Sequence, residues 1–516
     1  MGDGKKKVYD YAPEKVRDRL VDAFRRSKGE ATCSDLVALT GLPKYQVDAE
    51  VKAVSDEYGA RLRVTESGEI LYSFPRGMRS RYRGLGPQAK RAWKVFKKGA
   101  AAVGMLLFKG WIVFMLVGYF VLFAALALLA LLASVAVSAS GSRDSRSDRR
   151  GGGLGGLWLT GRILEAFVNR WFYSELFKSP EERAARYRKN RERKPLYKAI
   201  FSFVFGDGDP DALWDEVEKR AVIAFLRANR GLITLPEFMA ISGLPPLEAE
   251  ERINRYMVEF EGSPEATEGG AVVFLFPGLL RASKESGVER PSPSRLSRSI
   301  APFSANPRKS NRLFVLINAA NLLFGSYFLY GAATAHSLLP ILYGPKYVAR
   351  LVMTQGLDAF YLFVHQLLGK LAGLGDPGAL LGIGLGVVPL AFSVFFYAIP
   401  ALRSLRLASR NERARFENLR REAYAAALKA VSSGAEPRPI GPRALDSVDE
   451  ASRPRDERAP ERIFVELAAW TGAEPRADGS YDFAELARVQ AEARKARAAI
   501  DPSSFELGDT IFDSHS

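Results

Sequence analysis

The sequence predicts an α-helical integral membrane protein that also carries two copies of a small module built from helices and strands. Long apolar runs without charged residues alternate with very basic polar stretches, which is typical of a chain partly solvated by lipid. A segment that starts at Gly29 recurs at Gly231, at a constant offset of 202 residues. At 516 residues the chain has room for several domains.

Composition limits the chemistry that is open to the chain. Its formal net charge of +16 indicates an acidic partner, namely nucleic acid, anionic lipid headgroups or an acidic protein. The single cysteine, Cys33, excludes an intrachain disulfide, and three histidines leave little material for a zinc site. The N-terminal residues are lysine-rich and lack an apolar core, so we expect no cleavable signal peptide.

The repeat extends over helices and strands alike. Thr32 aligns with Thr234, and the tripeptide that begins at Gly41 aligns with the one that begins at Gly243. The apolar face of the preceding helix matches too. Its aligned pairs are Leu20 with Val222, Val21 with Ile223 and Phe24 with Leu226. The same register continues into two segments that each end in Phe-Pro, at Pro75 and Pro277.

Each copy predicts a helix, a short strand, a second helix, a tight Gly-Leu-Pro turn, a third helix and a two-stranded hairpin. Pro13 and Pro210 lie at first helical turns, where a missing N–H is tolerated, and Asp209 can cap the second copy. The hairpins turn at Gly68 and Gly270. We therefore predict duplicated winged-helix α+β modules over residues 11–76 (module 1) and 209–280 (module 2).

The third helix of each module disfavours nucleic acid as a partner. In winged-helix regulators this helix enters the major groove with basic or amide side chains. Here it is rich in carboxylates, which the phosphates would repel. Its side chains are Lys44, Gln46, Asp48, Glu50 and Lys52 in module 1, and Glu248, Glu250, Glu251, Arg252 and Arg255 in module 2.

Three apolar segments predict membrane crossings. Residues 313–335 and 379–402 are spans of ordinary length, and residues 99–139 form either a transmembrane hairpin that turns near Gly118 or one long span. Lys and Arg cluster before the first segment and after the last one, so the positive-inside rule favours cytoplasmic N- and C-termini in a bacterial inner membrane. Only the hairpin gives the even number of crossings that this orientation requires.

The remaining segments connect these domains. Residues 140–200 form a basic linker, in which Trp158, Phe167 and Trp171 predict an amphipathic helix at the interface. Residues 336–377 form an external loop with another amphipathic helix. Residues 403–431 form a basic juxtamembrane helix suited to anionic headgroups. A flexible linker over 432–460 precedes a C-terminal helical pair over 461–499, and we expect a disordered tail.

No catalytic, cofactor-binding or metal-binding residue is predicted. Asp207, Asp209, Asp211 and Glu218 have the spacing of a calcium loop, but Ala212 stands where that loop needs glycine, so a capped helix start explains them better. Asn318 and Asn321 share one face of a predicted span. We interpret that pair as interhelical hydrogen bonding, because neither 313–335 nor 379–402 contains an Asp, Glu, Lys, Arg or His residue.

The run from Tyr197 to Pro210, YKAIFSFVFGDGDP, resembles a motif of an uncharacterised membrane-protein family of cyanobacteria and chloroplast envelopes. The following module, and the run from Phe396 to Arg403, are similar to that family as well. Plant members are sometimes labelled iron–sulfur cluster biosynthesis proteins. A single cysteine cannot ligate such a cluster, and the resemblance brings no functional residues with it.

These observations predict a non-enzymatic membrane protein whose modules serve protein docking, assembly or regulation at the membrane surface. Its expected partners are the anionic bilayer and other proteins. Two alternatives stay open, a membrane-tethered DNA-binding regulator and a small-solute or ion transporter. Neither the oligomeric state nor a named partner follows from the sequence.

Overall fold

The computed structural model describes residues 11–27, 30–75, 77–78, 85–140, 195–281, 296–334, 357–373, 377–432 and 438–514. The chain is mostly helical and divides into two compact units. The polar unit consists of Met1–Ala92, Asp209–Ala301 and Ala408–Ser516. The apolar unit consists of Trp93–Gly208 and Pro302–Leu407.

The polar unit contains one arrangement of helices and strands twice. Group 1, residues 13–73, comprises α1 (Pro13–Arg26), β1 (Glu30–Ala31), α2 (Cys33–Thr40), α3 (Lys44–Tyr58), β2 (Arg61–Thr65) and β3 (Ile70–Ser73). Strand β3, the last of group 1, lies between β1 and β2 and pairs antiparallel with both. The last strand of group 2, described next, has the same central place in its own sheet.

Group 2, residues 214–275, repeats this order later in the chain. It comprises α7 (Trp214–Ala228), β4 (Leu232–Ile233), α8 (Leu235–Ser242), α9 (Pro246–Phe260), β5 (Ser263–Ala266) and β6 (Val272–Leu275).

A third group with a related order follows at residues 408–482, where the sequence predicted a basic juxtamembrane helix, a flexible linker and part of a helical pair. A short 3-10 turn, Pro442–Leu445, takes the place of the second helix. The first helix of this third group is the end of α12 (Val388–Ser432), and its third helix is α13 (Ala459–Thr471). A hairpin of β7 (Glu474–Pro475) and β8 (Tyr481–Asp482) comes next, and Ile440 pairs with Tyr481, so β8 again lies in the middle. The described part of the predicted 432–460 linker supplies the buried Leu445 of group 3.

The C-terminal helical pair is present, with the hairpin of group 3 between its members. The second member, α14 (Ala484–Ala499), places Gln490 against Thr234 of group 2. The tail, expected to be disordered, ends in a strand, β9 (Thr510–Asp513), that pairs with β2 of group 1. Apolar side chains from all three groups form one continuous core.

The apolar unit holds the candidate membrane segments. Its elements are α4 (Leu85–Val113), α5 (Tyr119–Ser140), α6 (Leu196–Phe205), α10 (Arg308–Ala333), α11 (Leu357–Ala372) and the start of α12. Within the described residues, three helices are long and apolar enough to cross a membrane, and they agree with the three predicted apolar segments. These helices are Gly99–Ser134, Arg308–Ala333 and Leu380–Ser432.

Residues 99–139 form one long helix rather than the hairpin. A π-helical turn, Phe114–Gly118, joins α4 to α5, and the flanking Val113 and Tyr119 both have right-handed helical backbone angles, so the chain does not reverse near Gly118. At 36 residues the span measures about 54 Å, more than a bilayer core requires. The interfacial helix predicted within 140–200 lies outside the described residues, as does the 335–356 part of the predicted external loop.

Two buried amides join the candidate membrane helices to each other. Asn321 donates a hydrogen bond to the carbonyl oxygen of Leu116 at 2.8 Å, and Asn318 donates to the carbonyl oxygen of Ser393 at 3.1 Å. Leu116 lies in the π-helical turn, where the irregular ladder leaves backbone carbonyls for other donors. This geometry agrees with the interhelical hydrogen bonding predicted for the two asparagines.

Replacing Asn321 by Leu keeps the side-chain volume but removes the donor for Leu116. We expect the Asn321→Leu protein in detergent to lose about 1 kcal/mol of unfolding free energy, measured by thermal denaturation. The matched control is Ser326→Leu on the exposed side of the same helix, which should unfold like the parent. Equal melting of the two variants would show that this hydrogen bond contributes nothing to stability.

Candidate functional site

The turn between the second and third helices is built in the same way in groups 1 and 2. In group 1 the hydroxyl and carboxylate of Thr32 and Asp35 form a capping box at the start of α2, and in group 2 Thr234 and Glu237 do so for α8. Each helix ends at a glycine in the left-handed region, Gly41 with φ +66° and Gly243 with φ +69°.

The turn of group 1 lies on the first helix of group 2. A Cβ atom added to Gly41 would lie 3.3 Å from the carbonyl oxygen of Glu216 in α7. Arg19 joins both sides of this contact, because its guanidinium donates to the carbonyl oxygen of Thr40 and forms a 2.8 Å ion pair with the Glu216 carboxylate. The turn of group 1 therefore packs against another part of the same chain.

The turn of group 2 lies on the first helix of group 3 in the same manner. A Cβ atom added to Gly243 would overlap the carbonyl oxygen of Glu417 in α12. Arg421, one turn further along α12, donates from Nε to the carbonyl oxygen of Ile241 at 3.0 Å and from its terminal nitrogen to that of Ser242. The three groups are stacked head to tail through equivalent surfaces.

Buried polar contacts fix the seam between groups 1 and 2. The Asp35 side chain is fully buried and forms a 3.2 Å ion pair with Arg227 of α7. Burial lowers the pKa of Arg227, and the Asp35 carboxylate opposes that shift. Thr32 donates to the carbonyl oxygen of Arg281 at 3.0 Å, and Ser34 donates to that of Gly278. These partners give the seam a defined register.

An aromatic ring between two guanidinium groups fixes the seam between groups 2 and 3. The Trp214 ring has Arg298 at 4.7 Å and Arg421 at 4.8 Å from its centroid. The buried Glu417 carboxylate forms ion pairs with both arginines. The Trp214 indole nitrogen donates to the buried Glu218 at 3.1 Å. Tyr256 donates to the same carboxylate, and burial followed by this charge raises the pKa of Tyr256.

The third helices present apolar side chains where a DNA-reading helix would be polar. Tyr45 in α3 and Leu247 in α9 occupy the same position of the repeat and are 42% and 76% exposed. Val258, near the end of α9, is also 76% exposed. Exposed apolar side chains at matched positions favour contact with protein over contact with phosphate.

A groove of ≈ 490 Å³ lies beside α9 in the polar unit. Leu235, Ile253 and Phe274 of group 2 line one part of it, and Trp470 and Leu486 line another. The carboxylates of Glu250 and Glu485 stand at its wall. The lining of the groove is mainly apolar and includes two carboxylates. It therefore suits an apolar or basic side chain of a protein better than an anion, which the carboxylates would repel.

The carboxylates with calcium-loop spacing each have separate protein partners. Asp209 forms a 2.7 Å ion pair with Arg410, and Asp211 accepts a hydrogen bond from the backbone of Ser299. Asp207 accepts from Ser202 at 2.7 Å, and Glu218 is buried as described above. Among the described residues, no group of three or more His, Cys, Asp or Glu side chains could hold a metal ion.

The motif that carries the family resemblance terminates α6 in the apolar unit. Gly206 has φ +84°, and Arg403 packs against it closely enough to exclude a Cβ atom. Arg403 donates to the carbonyl oxygens of Phe203 at 2.8 Å and Phe303 at 2.6 Å. Asp207 accepts from the backbone of Ala305 at 2.8 Å. In this structure the Phe-Gly-Asp-Gly run therefore terminates a helix and holds the chain segment near residue 303.

The single cysteine has the environment of a structural residue. Burial, reinforced by the nearby Asp48 carboxylate, raises the pKa of the Cys33 thiol. A raised pKa leaves little thiolate at neutral pH, so this thiol is a poor nucleophile.

Sequence reasoning missed the docking residues of group 3, Glu417 and Arg421, because they lie in a basic helix that appeared to be juxtamembrane. One signal could have revealed group 3. Asp478 and Gly479 form a hairpin dipeptide between two short segments, and this predicts the hairpin of β7 and β8.

The chain is 21% identical over 297 residues to an uncharacterized chloroplastic protein of Arabidopsis thaliana. The match covers 54% of this chain and 51% of that protein, so the chain spans about half the length of this relative. It fits a plant, chloroplast-type family. No protein-family model and no solved structure matches the chain.

The match also bears on localisation. The three apolar helices allow a membrane location, and the chloroplast location of the relative argues against the bacterial inner membrane that the sequence suggested.

The stacking through glycine turns generates a stability prediction. We expect Gly243→Ala to cost about 3 kcal/mol of unfolding free energy, because a Cβ atom there meets both an unfavourable φ and the backbone of α12. The matched control is Gly270→Ala. It has a similar φ of +77° but no atom within 4 Å, so it should cost only about 1 kcal/mol.

Gly41→Ala should fall between these two variants, since its nearest contact is looser. Urea or thermal unfolding of the full chain in detergent measures the order. If Gly243→Ala and Gly270→Ala lose the same stability, the turn does not lie on the helix in solution.

Proposed function

We propose that this protein is a non-enzymatic membrane scaffold whose polar unit is a stack of winged-helix modules that docks other proteins at the membrane surface. Groups 1 and 2 correspond to the two modules of the sequence repeat, and group 3 is a third, diverged module. The order of three helices and a hairpin, with the last strand central, supports the winged-helix assignment.

One observation carries this proposal. In two successive modules the turn before the third helix, which lies at the DNA in winged-helix regulators, lies against protein instead. A fold that already uses this surface twice for protein contact is suited to binding further protein with its exposed third helices. The exposed apolar side chains at Tyr45, Leu247 and Val258 support the same conclusion.

We further propose that all three modules lie on one side of the membrane. Arg227 of module 2 pairs with Asp35 of module 1, and strand β9 from the C-terminus pairs with β2 of module 1. Such contacts require a common aqueous phase.

Sidedness can be measured with single cysteines placed at exposed positions in a Cys33→Ala background. Ala49→Cys, Ser263→Cys and Ser504→Cys report on module 1, module 2 and the C-terminal region. We expect an impermeant maleimide to label all three from the same face of sealed vesicles. The opposite sidedness of Ser263→Cys relative to Ala49→Cys would overturn the common-side arrangement.

Photo-crosslinking tests protein docking directly. A photoreactive amino acid at Leu247 or Val258 should give covalent adducts with protein in native membranes, because both side chains point outward from α9. The control is the same amino acid at Lys495 on α14, whose side chain is equally exposed, at 76%. Mass spectrometry distinguishes protein, lipid and nucleic-acid adducts.

Two results would contradict protein docking. Nucleic-acid adducts at Leu247, together with salt-dependent DNA binding by the full chain in detergent, would favour the membrane-tethered regulator. Solute flux into vesicles that Asn318→Leu or Asn321→Leu abolishes would favour the transporter. Adducts at Lys495 alone would show that α9 is not the docking helix.

A further inference from the structure

The C-terminal strand β9 extends the sheet of module 1 by strand addition. The register pairs Arg63 with Asp513, Val64 with Phe512 and Thr65 with Thr510, so the sheet order is β1-β3-β2-β9. Backbone hydrogen bonds continue beyond the strand on both sides. They run from Glu66 to Asp509 at 2.9 Å, from Ser67 to Leu507 at 3.2 Å and from Ser514 to Leu62 at 3.0 Å.

The added strand contributes little buried apolar surface. Ile511 and Phe512 remain 66% and 58% exposed, and Thr510 is exposed too. The Asp513 carboxylate accepts a bidentate hydrogen bond from Arg61, and the Ser514 hydroxyl accepts one from the backbone of Leu62. Main-chain hydrogen bonds and polar side-chain contacts therefore hold β9, as they do where proteins bind extended peptides at a sheet edge.

The equivalent edge of module 2 is built differently. Its strand β5 carries Pro264, which cannot donate to a neighbouring strand, and all four of its residues are exposed. Strand β2 contains no proline, and most of its residues are partly buried. Of these two modules, module 1 therefore has the edge that is chemically open to strand addition, and the tail occupies it.

The charges identify the kind of segment that this edge accepts. Arg61 faces the tail, and the tail itself carries Glu506, Asp509 and Asp513 around an apolar pair. An added strand with an acidic residue at the position of Asp513, which is opposite Arg63 and within reach of Arg61, satisfies both the backbone and the Arg61 guanidinium. A basic segment would place like charges together.

We propose that the β2 edge is a peptide-binding site for an extended acidic segment of a partner protein, and that the tail 506–514 occupies it until such a segment displaces it. Release of β9 costs little free energy, because its apolar side chains are already exposed and no buried core is disrupted. This inference rests on the proposed docking function and adds to it the site and the chemistry of one partner segment.

The test uses a fluorescent peptide with residues 505–514 of this chain as the probe. Its binding is followed by anisotropy to the full chain in detergent and to a full-chain variant that lacks Leu507–Ser516. We expect the truncated variant to bind the peptide at least about tenfold more tightly, because the tethered tail competes at high effective concentration. A scrambled peptide should not bind either protein.

Charge exchange separates this site from non-specific binding. In the truncated variant, Arg61→Asp should weaken the peptide about fivefold, and a peptide with Asp513→Arg should recover the loss. Unchanged thermal unfolding of Arg61→Asp shows that the module remains folded. Equal affinity for the full and truncated chains, or indifference to the exchange, would overturn the proposal.

Two further readouts keep the proposals distinguishable. A full chain that is dimeric by light scattering and becomes monomeric on truncation would show the edge filled by a second copy, which overturns the partner site. Crosslinking at Leu247 or Val258 reports on the surface of α9. Protein docking at α9 can therefore fail while the peptide still binds at β2, and peptide binding at β2 can fail while docking at α9 succeeds.

Discussion

Backbone-to-backbone contact between a glycine turn and the next helix is the constraint on which the polar unit depends. Gly243 approaches the carbonyl of Glu417 so closely that no side chain fits between them, and Gly41 makes an equivalent but looser contact with Glu216. The left-handed φ of both glycines makes the turn possible, and the missing Cβ atom makes the contact possible. One residue type thus serves the local turn and the stacking of modules together.

The contacts between neighbouring groups are polar. Polar contacts determine which surfaces fit together more than how tightly they bind. Asp35 and Arg227 form a buried ion pair. Replacing both members of such a pair by apolar residues often changes the stability of a protein little, whereas removing one member lowers the stability strongly. The Trp214 ring between two arginines similarly stabilises one relative position of α7 and α12. Modules with similar apolar cores could otherwise slide or exchange places.

Stacking of this kind also bears on the proposed common side of the three groups. The groups are separated in sequence by apolar helices, yet their side chains share one core. A shared core forms in one aqueous phase, which supports the proposal that all three groups lie on the same side of a membrane.

The sequence by itself determined the apolar spans, the two-fold repeat, the turn glycines and the pairing role of Asn318 and Asn321. Each of these follows from local composition or periodicity, which a single chain records directly. Tertiary structure decided which distant segments of the chain come into contact, because short-range patterns carry no such information. It showed that residues near Gly118 form one long helix, one of the two forms that the sequence left open, revealed the third group through the pairing of Ile440 with Tyr481, and placed the tail against β2. Pairing between distant strands, and the fit of a turn to a helix far along the chain, depend on which surfaces meet, and no local pattern specifies that.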